Sequence, residues 1–246
     1  MTANYPNGRH RDIIRIRFSK AGKVRFVSHR DVARLFERAL RKLRLPVAYS
    51  EGFSPRPKLS FGLALSVSHE SDAEYLDVEL TELPDLEGLS QALTAALPDG
   101  MDVVGVAALE QGSASLQQVI TSCTWRIEVL GAPAAGVTAA VAEVLASTEL
   151  PLERVRKGKT AVTDVRPAIL ELDVEGPTEN GVQLVAHLAT ETVSLRPTEL
   201  VKVLGIDGLE EGRVRRTHQW ITIDGARHEP VSSPDPSTGH ELQRAS

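Results

Sequence analysis

Residues 23–80 read KVRFVSHRDVARLFERALRKLRLPVAYSEGFSPRPKLSFGLALSVSHESDAEYLDVEL. The first third is an amphipathic helix with a marked start. Ser28 and Asp31 fit a capping box, in which hydroxyl and carboxylate satisfy the orphan amides of a first turn. Val32, Leu35, Phe36, Ala39, Leu40 and Leu43 recur at helical spacing and form one apolar face. Arg30, Arg34, Arg38 and Arg41 rise along the other. Pro46 forbids continuation, so the helix is expected over residues 30–44. In the next stretch, Glu51 to Lys58, Pro55 and Pro57 fix φ and present Arg56 and Lys58 from extended backbone. Leu59 to Leu65 reads as extended and Ser66 to Ala73 as a turn. Tyr75, Asp77 and Glu79 then alternate with Leu76, Val78 and Leu80, which is a strand pattern.

Working outward, Asp12 to Ser19 alternates Ile14, Ile16 and Phe18 with Arg15 and Arg17, a strand with one buried face. Downstream, a second helix is expected from Asp85, with Leu86, Leu89, Leu93 and Leu97 on one side and Pro98 as its stop. A fourth strand follows over Met101 to Leu109. The order βαββαβ is the ferredoxin-like plan, an antiparallel sheet with two helices on one face. It recurs after a linker at 111–121, with strands at 124–130, 168–174, 181–189 and 213–223 and helices at 137–146 and 197–204. A basic extended run, 151–162, interrupts it. The expectation is an α+β chain of two tandem ferredoxin-like domains, residues 11–110 and 122–226. Residues 1–10 read as a flexible tail and 227–246 as a disordered one.

Composition narrows the function. With 246 residues and 41% apolar, the chain builds cores of its own, and no apolar run approaches a membrane span. The opening MTANYPNGRHR lacks an apolar h-region, so no secretory signal is expected. A lone Cys123 excludes an intramolecular disulfide framework and suits a reducing cytoplasm. The seven histidines show no metal-ligand spacing, so no metal site is expected. Neither a Gly-rich phosphate loop nor a Gly-x-Ser-x-Gly elbow is present. Net charge is −5, yet Arg9 to Lys58 holds 15 Lys/Arg against 4 Asp/Glu. So local an excess indicates a directional field for an anionic ligand, or else a solvated helix face.

Candidate residues follow from that asymmetry. Arginine forks suit phosphate oxygens, and phosphate contacts dominate nucleic-acid affinity. Arg25, Arg30, Arg34, Arg38, Arg56 and Lys58 are the first set. Lys157, Lys159 and Arg166 extend the track from a basic hairpin-like run. Tyr49 and Phe53 flank the proline loop and are candidates to stack on unpaired bases, with core packing as the alternative. His29, just inside the first helix, is a candidate general acid or base, the alternative being a histidine that stabilises the helix entry. Asp164 and Arg166 share a strand face, as an ion pair or part of a site.

The strings RFVSHRDVARLFERALRK, LPVAYSEGFSPRPKLSFGLAL and SDAEYLDVEL resemble the radical-SAM-linked protein family, a bacterial domain encoded beside or fused to a radical-SAM protein. The resemblance is thinner at KGKTAVTDVRPAILEL and VSLRPTELVKVLG and covers most of residues 12–220. It implies a radical-SAM protein as partner. Radical-SAM enzymes hold their iron–sulfur cluster with three cysteines, and one is present here. Cluster and S-adenosylmethionine are therefore expected only in the partner chain, with no cofactor in this one. The expected role is an accessory that binds structured RNA, tRNA or rRNA, for a separate modification enzyme. One alternative is a metal-independent endoribonuclease using His29, whose position resembles that of the catalytic histidine in the tandem ferredoxin-like CRISPR repeat-processing endoribonucleases. The other is a protein–protein adaptor that touches no RNA.

Overall fold

The structure, a computed structural model, describes residues 12–156, 158–191 and 193–231. Its α+β chain divides into two compact units. The first takes in the chain up to Val67, then Ala73–Val119, and resumes at His228; the second holds Ser68–Asp72 and Ile120–Arg227. The expected tail at 1–10 and the end of the expected disordered tail, 232–246, lie outside the described residues.

In the first unit β1 (Asp12–Lys20) leads to α1 (His29–Lys42), β2 (Leu59–Phe61), β3 (Glu70–Leu80), α2 (Leu89–Ala96), β4 (Val103–Ala108) and the single turn α3 (Leu116–Val119). The strand order is β4-β1-β3, with β2 on β3. β1 runs antiparallel to β4, matching Ile14 with Ala108, and β2 antiparallel to β3, matching Phe61 with Leu76. α1 starts where its capping residues lie: the Ser28 hydroxyl accepts from the Asp31 amide at 3.3 Å and donates to the Asp31 carboxylate at 2.7 Å. It ends in a Schellman turn, Leu45 N–H to Leu40 C=O and Arg44 N–H to Arg41 C=O. Arg44 sits there at φ 55°, a place that usually goes to glycine. Val32, Phe36, Ala39 and Leu40 of α1, and Leu89 and Leu93 of α2, bury against Ile14, Ile16, Phe18, Leu76, Val78 and Leu80. α2 begins later than expected because Gly88, at φ 69°, interrupts the chain after Asp85.

The single buried face expected for β1 is a misreading, since its other side is covered too. Arg15 bonds Asp77 through both guanidinium arms, at 2.7 and 2.9 Å, and Arg17 bonds Glu229 at 2.6 Å. All of these side chains are largely out of water. The disorder expected from residue 227 is likewise corrected over 227–231: Ala226–His228 form a short strand, Glu229 holds Arg17, and Val231 is buried. Polar composition hid this, because Glu229 is charged and its partner lies 212 residues away. The segment at 111–121 carries the buried Leu116 of α3.

The second unit runs β5 (Ile120–Leu130), α4 (Ala134–Ala146), a separate hairpin of β6 (Pro151–Arg156) and β7 (Lys159–Asp164), β8 (Ile169–Pro177), β9 (Gly181–Ala189), α5 (Pro197–Val203), β10 (Glu210–Ile223) and β11 (Ala226–His228). Its strand order is β10-β5-β9-β8, antiparallel throughout. α4 lies on β8 and β9, and α5 on β10 and β5. Ser66 to Ala73 was expected to turn, but Glu70 and Ser71 are strand, and they run parallel to Arg215 and Arg216. Glu70, fully buried, accepts from Arg213 at 2.9 and 3.0 Å and from Arg215 at 2.9 Å. Two guanidiniums from distant sequence make a buried carboxylate tolerable.

Removing one partner of a buried pair strands the other charge. Asp77→Ala is expected to lower the unfolding free energy by about 3–5 kcal/mol in urea denaturation, and the double change Arg15→Met with Asp77→Leu to recover most of it.

Candidate functional site

Burial of Val32, Phe36, Ala39 and Leu40 fixes how α1 is rotated, and four arginines face water as a result. Arg30, Arg34, Arg38 and Arg41 are all exposed. Steps of four, four and three residues keep them on one ridge about 16 Å long. Asp31 and Glu37 are the only acids in the helix. Asp31 pairs with Arg34 at 3.0 Å, and the Ser28 hydroxyl, then Arg34, hold its carboxyl below the usual range. Among the described residues Arg30, Arg38 and Arg41 make no salt bridge, although the Arg30 charge also acts on Asp31.

The proline loop adds to this ridge. Ser50 pinches its base: the Ser50 amide donates to the Arg56 carbonyl at 2.8 Å and the Ser50 hydroxyl accepts from the Arg56 amide at 3.0 Å. Phe53 at the tip is fully exposed and Tyr49 is half in water, so neither is a core aromatic. Tyr49 and Pro57 share a hollow of about 140 Å3 with Glu37, Arg41 and Arg44 of the helix end. Arg56, which precedes Pro57 in the chain, is exposed. Lys58 instead turns to Glu79 at 3.1 Å. Arg25 is half-buried, its guanidinium 4.7 Å above the Phe26 ring.

In the second unit the basic run forms the β6–β7 hairpin, with Arg156 opposite Lys159. Lys159 is exposed, and Lys157 lies outside the described residues. Arg154 anchors the hairpin to α5 through Glu199, at 3.0 and 2.9 Å. Arg166 is spent internally, donating to the carbonyls of Leu145, Ser147 and Ile169 at 3.2, 3.1 and 2.9 Å and so closing the end of α4. Asp164 does not pair with its guanidinium: it accepts from the Leu150 amide at 2.7 Å and the Arg166 amide at 3.0 Å. Those two bonds pull its pKa down.

His29 lines a cleft of about 430 Å3 in the first unit with Leu59, Ser60, Phe61, Gly62, Leu63, Ala64 and Gln117. Its ring meets Phe61 edge to face, centroids 4.8 Å apart. Sequence reasoning picked His29 and missed Phe61 and Gln117, which carry no local signal. It also left Arg41 and Arg44 out of the candidate set, although helical spacing places Arg41 on the ridge.

A second cluster resembles a nucleophilic triad. His187 Nε2 lies 2.7 Å from Ser122 Oγ, and its Nδ1 lies 3.7 Å from Glu171. The tautomer forbids that chemistry. Arg227 donates to Nδ1 at 2.5 Å, so Nδ1 must be the bare nitrogen and Nε2 carries the proton. Nε2 therefore donates to Ser122 and cannot take its proton. Burial, then the Arg227 charge, push the His187 pKa down. Among the described residues no three His, Cys, Asp or Glu side chains group as a metal site, and no helix is long and apolar enough to cross a membrane.

A family described as "Uncharacterized protein conserved in bacteria (DUF2344)" matches residues 13–197. The chain belongs to that family. No curated protein matches. Among solved structures, this DUF2344 chain is similar to the crystal structure of an unknown protein from Galdieria sulphuraria, at 15% identity and a TM-score of 0.26, covering 84% of this chain and 99% of that one.

Two measurements check this geometry. A histidine whose folded pKa is depressed leaves stability intact above its ordinary value near 6.5 and lowers it as the pH falls below. The melting temperature should fall between about pH 7 and pH 5, and less steeply in His187→Gln. Arg44→Gly relieves a left-handed residue and should stabilise the fold by about 1 kcal/mol in denaturant titration.

Proposed function

We propose that this chain binds structured RNA, tRNA or rRNA, along the arginine ridge of α1, as a non-catalytic accessory to a separate radical-SAM enzyme. The observation that carries this reading is the ridge itself: exposed guanidiniums at regular spacing, three of four without a salt bridge among the described residues, in a protein of net charge −5. Successive cations about 6 Å apart along the helix suit successive phosphates of one strand. Arg56 and Arg44 widen the basic surface at one end. Phe53 and Tyr49 add exposed rings that suit unpaired bases.

Both units read as ferredoxin-like. In each, the first strand of the βαββαβ run lies between the fourth and the third, and the second strand pairs with the third. The β6–β7 hairpin is then an insertion between the first helix and the second strand of the second unit. The radical-SAM partner is carried by the sequence resemblance alone. A ribonuclease built on His29 is the weaker reading, because among the described residues His29 is the only titratable side chain lining its cleft and cleavage needs both a general base and a general acid. Docking of the ridge on an acidic protein is the competing use of the same cations.

Filter binding of total RNA over a range of salt separates these readings. Affinity should fall with a negative log–log salt slope, and the triple change Arg30→Ala, Arg34→Ala, Arg38→Ala should flatten that slope by about 2 while circular dichroism stays unchanged. No RNA binding, or an unchanged slope, overturns the proposal. RNA cleaved in EDTA by the wild type and spared by His29→Ala favours the nuclease instead.

A further inference from the structure

We infer that the cleft beside His29 receives one unpaired nucleobase of the RNA held by the α1 ridge; the inference rests on the RNA reading above. The cleft has the features of a base site. Its floor is rigid: Phe61 leans on the buried Phe36 with centroids 6.2 Å apart, and Phe36 on Phe18 at 4.7 Å. The rings of His29 and Phe61 stand at 72° to each other, so a planar group laid against one meets the other edge-on. Leu59, Leu63 and Ala64 complete an apolar wall.

Polar groups point the same way. Gln117 donates its amide to the Phe61 carbonyl at 3.4 Å, which leaves its side-chain oxygen as an acceptor. Among the described residues the Ser60 hydroxyl and both His29 ring nitrogens have no hydrogen-bond partner. An aromatic corner with a few placed donors and acceptors is how single-stranded bases are read. Charge favours a base carried on a polyanion over a free neutral ring. Arg30 follows His29 directly in the chain and begins the ridge, so a strand lying along α1 delivers a base to the cleft one residue from its first guanidinium. A base stacked in a duplex cannot enter, so the cleft selects loops, bulges or ends.

Fluorescence anisotropy on the full chain tests this, with a short oligoadenylate carrying 2-aminopurine and an RNA duplex of equal length as probes. Two variants are used: Ala64→Phe, which fills the cleft from an exposed position, and His29→Ala, which removes one ring. Each should weaken oligoadenylate binding about tenfold and relieve the 2-aminopurine quenching seen with the wild type, leaving duplex affinity and its salt slope unchanged. Wild-type affinity in both variants, or equal loss on duplex and single strand, overturns the inference. If the ridge variant loses its salt slope while both cleft variants behave as wild type, the cleft inference alone falls. If the wild type binds neither RNA, the ridge reading falls with it.

Discussion

Phe36 packs edge-on against Phe18 beneath the first helix, and this contact sets where the cations go. Both rings are buried. Holding Phe36 down fixes α1 about its own axis, and 3.6 residues per turn then place residues 30, 34, 38 and 41 outward. The aromatic chain continues through Phe61 to His29. One row of rings thus runs from the centre of the first unit to its surface. The basic ridge and the cleft are both by-products of core packing, which makes them rigid features.

A count of arginines overstates what a polyanion can reach. Arg15, Arg17, Arg154, Arg213 and Arg215 are each bonded to a carboxylate, and Arg166 to three carbonyls. Arg216 is buried over the Trp125 ring at 5.2 Å. These groups hold strands and helix ends together. Arg30, Arg38 and Arg41 of α1 are different, because the helix carries only Asp31 and Glu37 as acids and Asp31 is bonded to Arg34. Local scarcity of carboxylate, more than abundance of cation, makes the ridge available.

Much of the frame was legible in the sequence. Ser28 and Asp31 announced the start of α1, and the alternation in Tyr75–Leu80 announced the end of β3, since caps and period-2 patterns are local. Pairings across the chain were not legible. Arg15 read as solvent-facing because Asp77 is 62 residues away, and Glu70 read as part of a turn because Arg213 is 143 away. Pattern rules treat a charge as a surface residue, and they fail wherever a distant opposite charge allows burial. Arg166 misled in the other direction. It read as an extension of the basic run, yet the short 3-10 turn there folds its guanidinium back onto the end of α4. Phe61 and Gln117 meet His29 only in three dimensions.

The bond from Arg17 to Glu229 has a consequence for biosynthesis. A ribosome makes β1 first and must translate the whole second unit before the carboxylate that closes β1 emerges. During that interval one side of the nascent sheet lacks its cover, and the early half of the protein waits as an unfinished shell. Chains truncated before Glu229 keep that shell open, so stalled translation yields sticky fragments instead of a tidy half-protein.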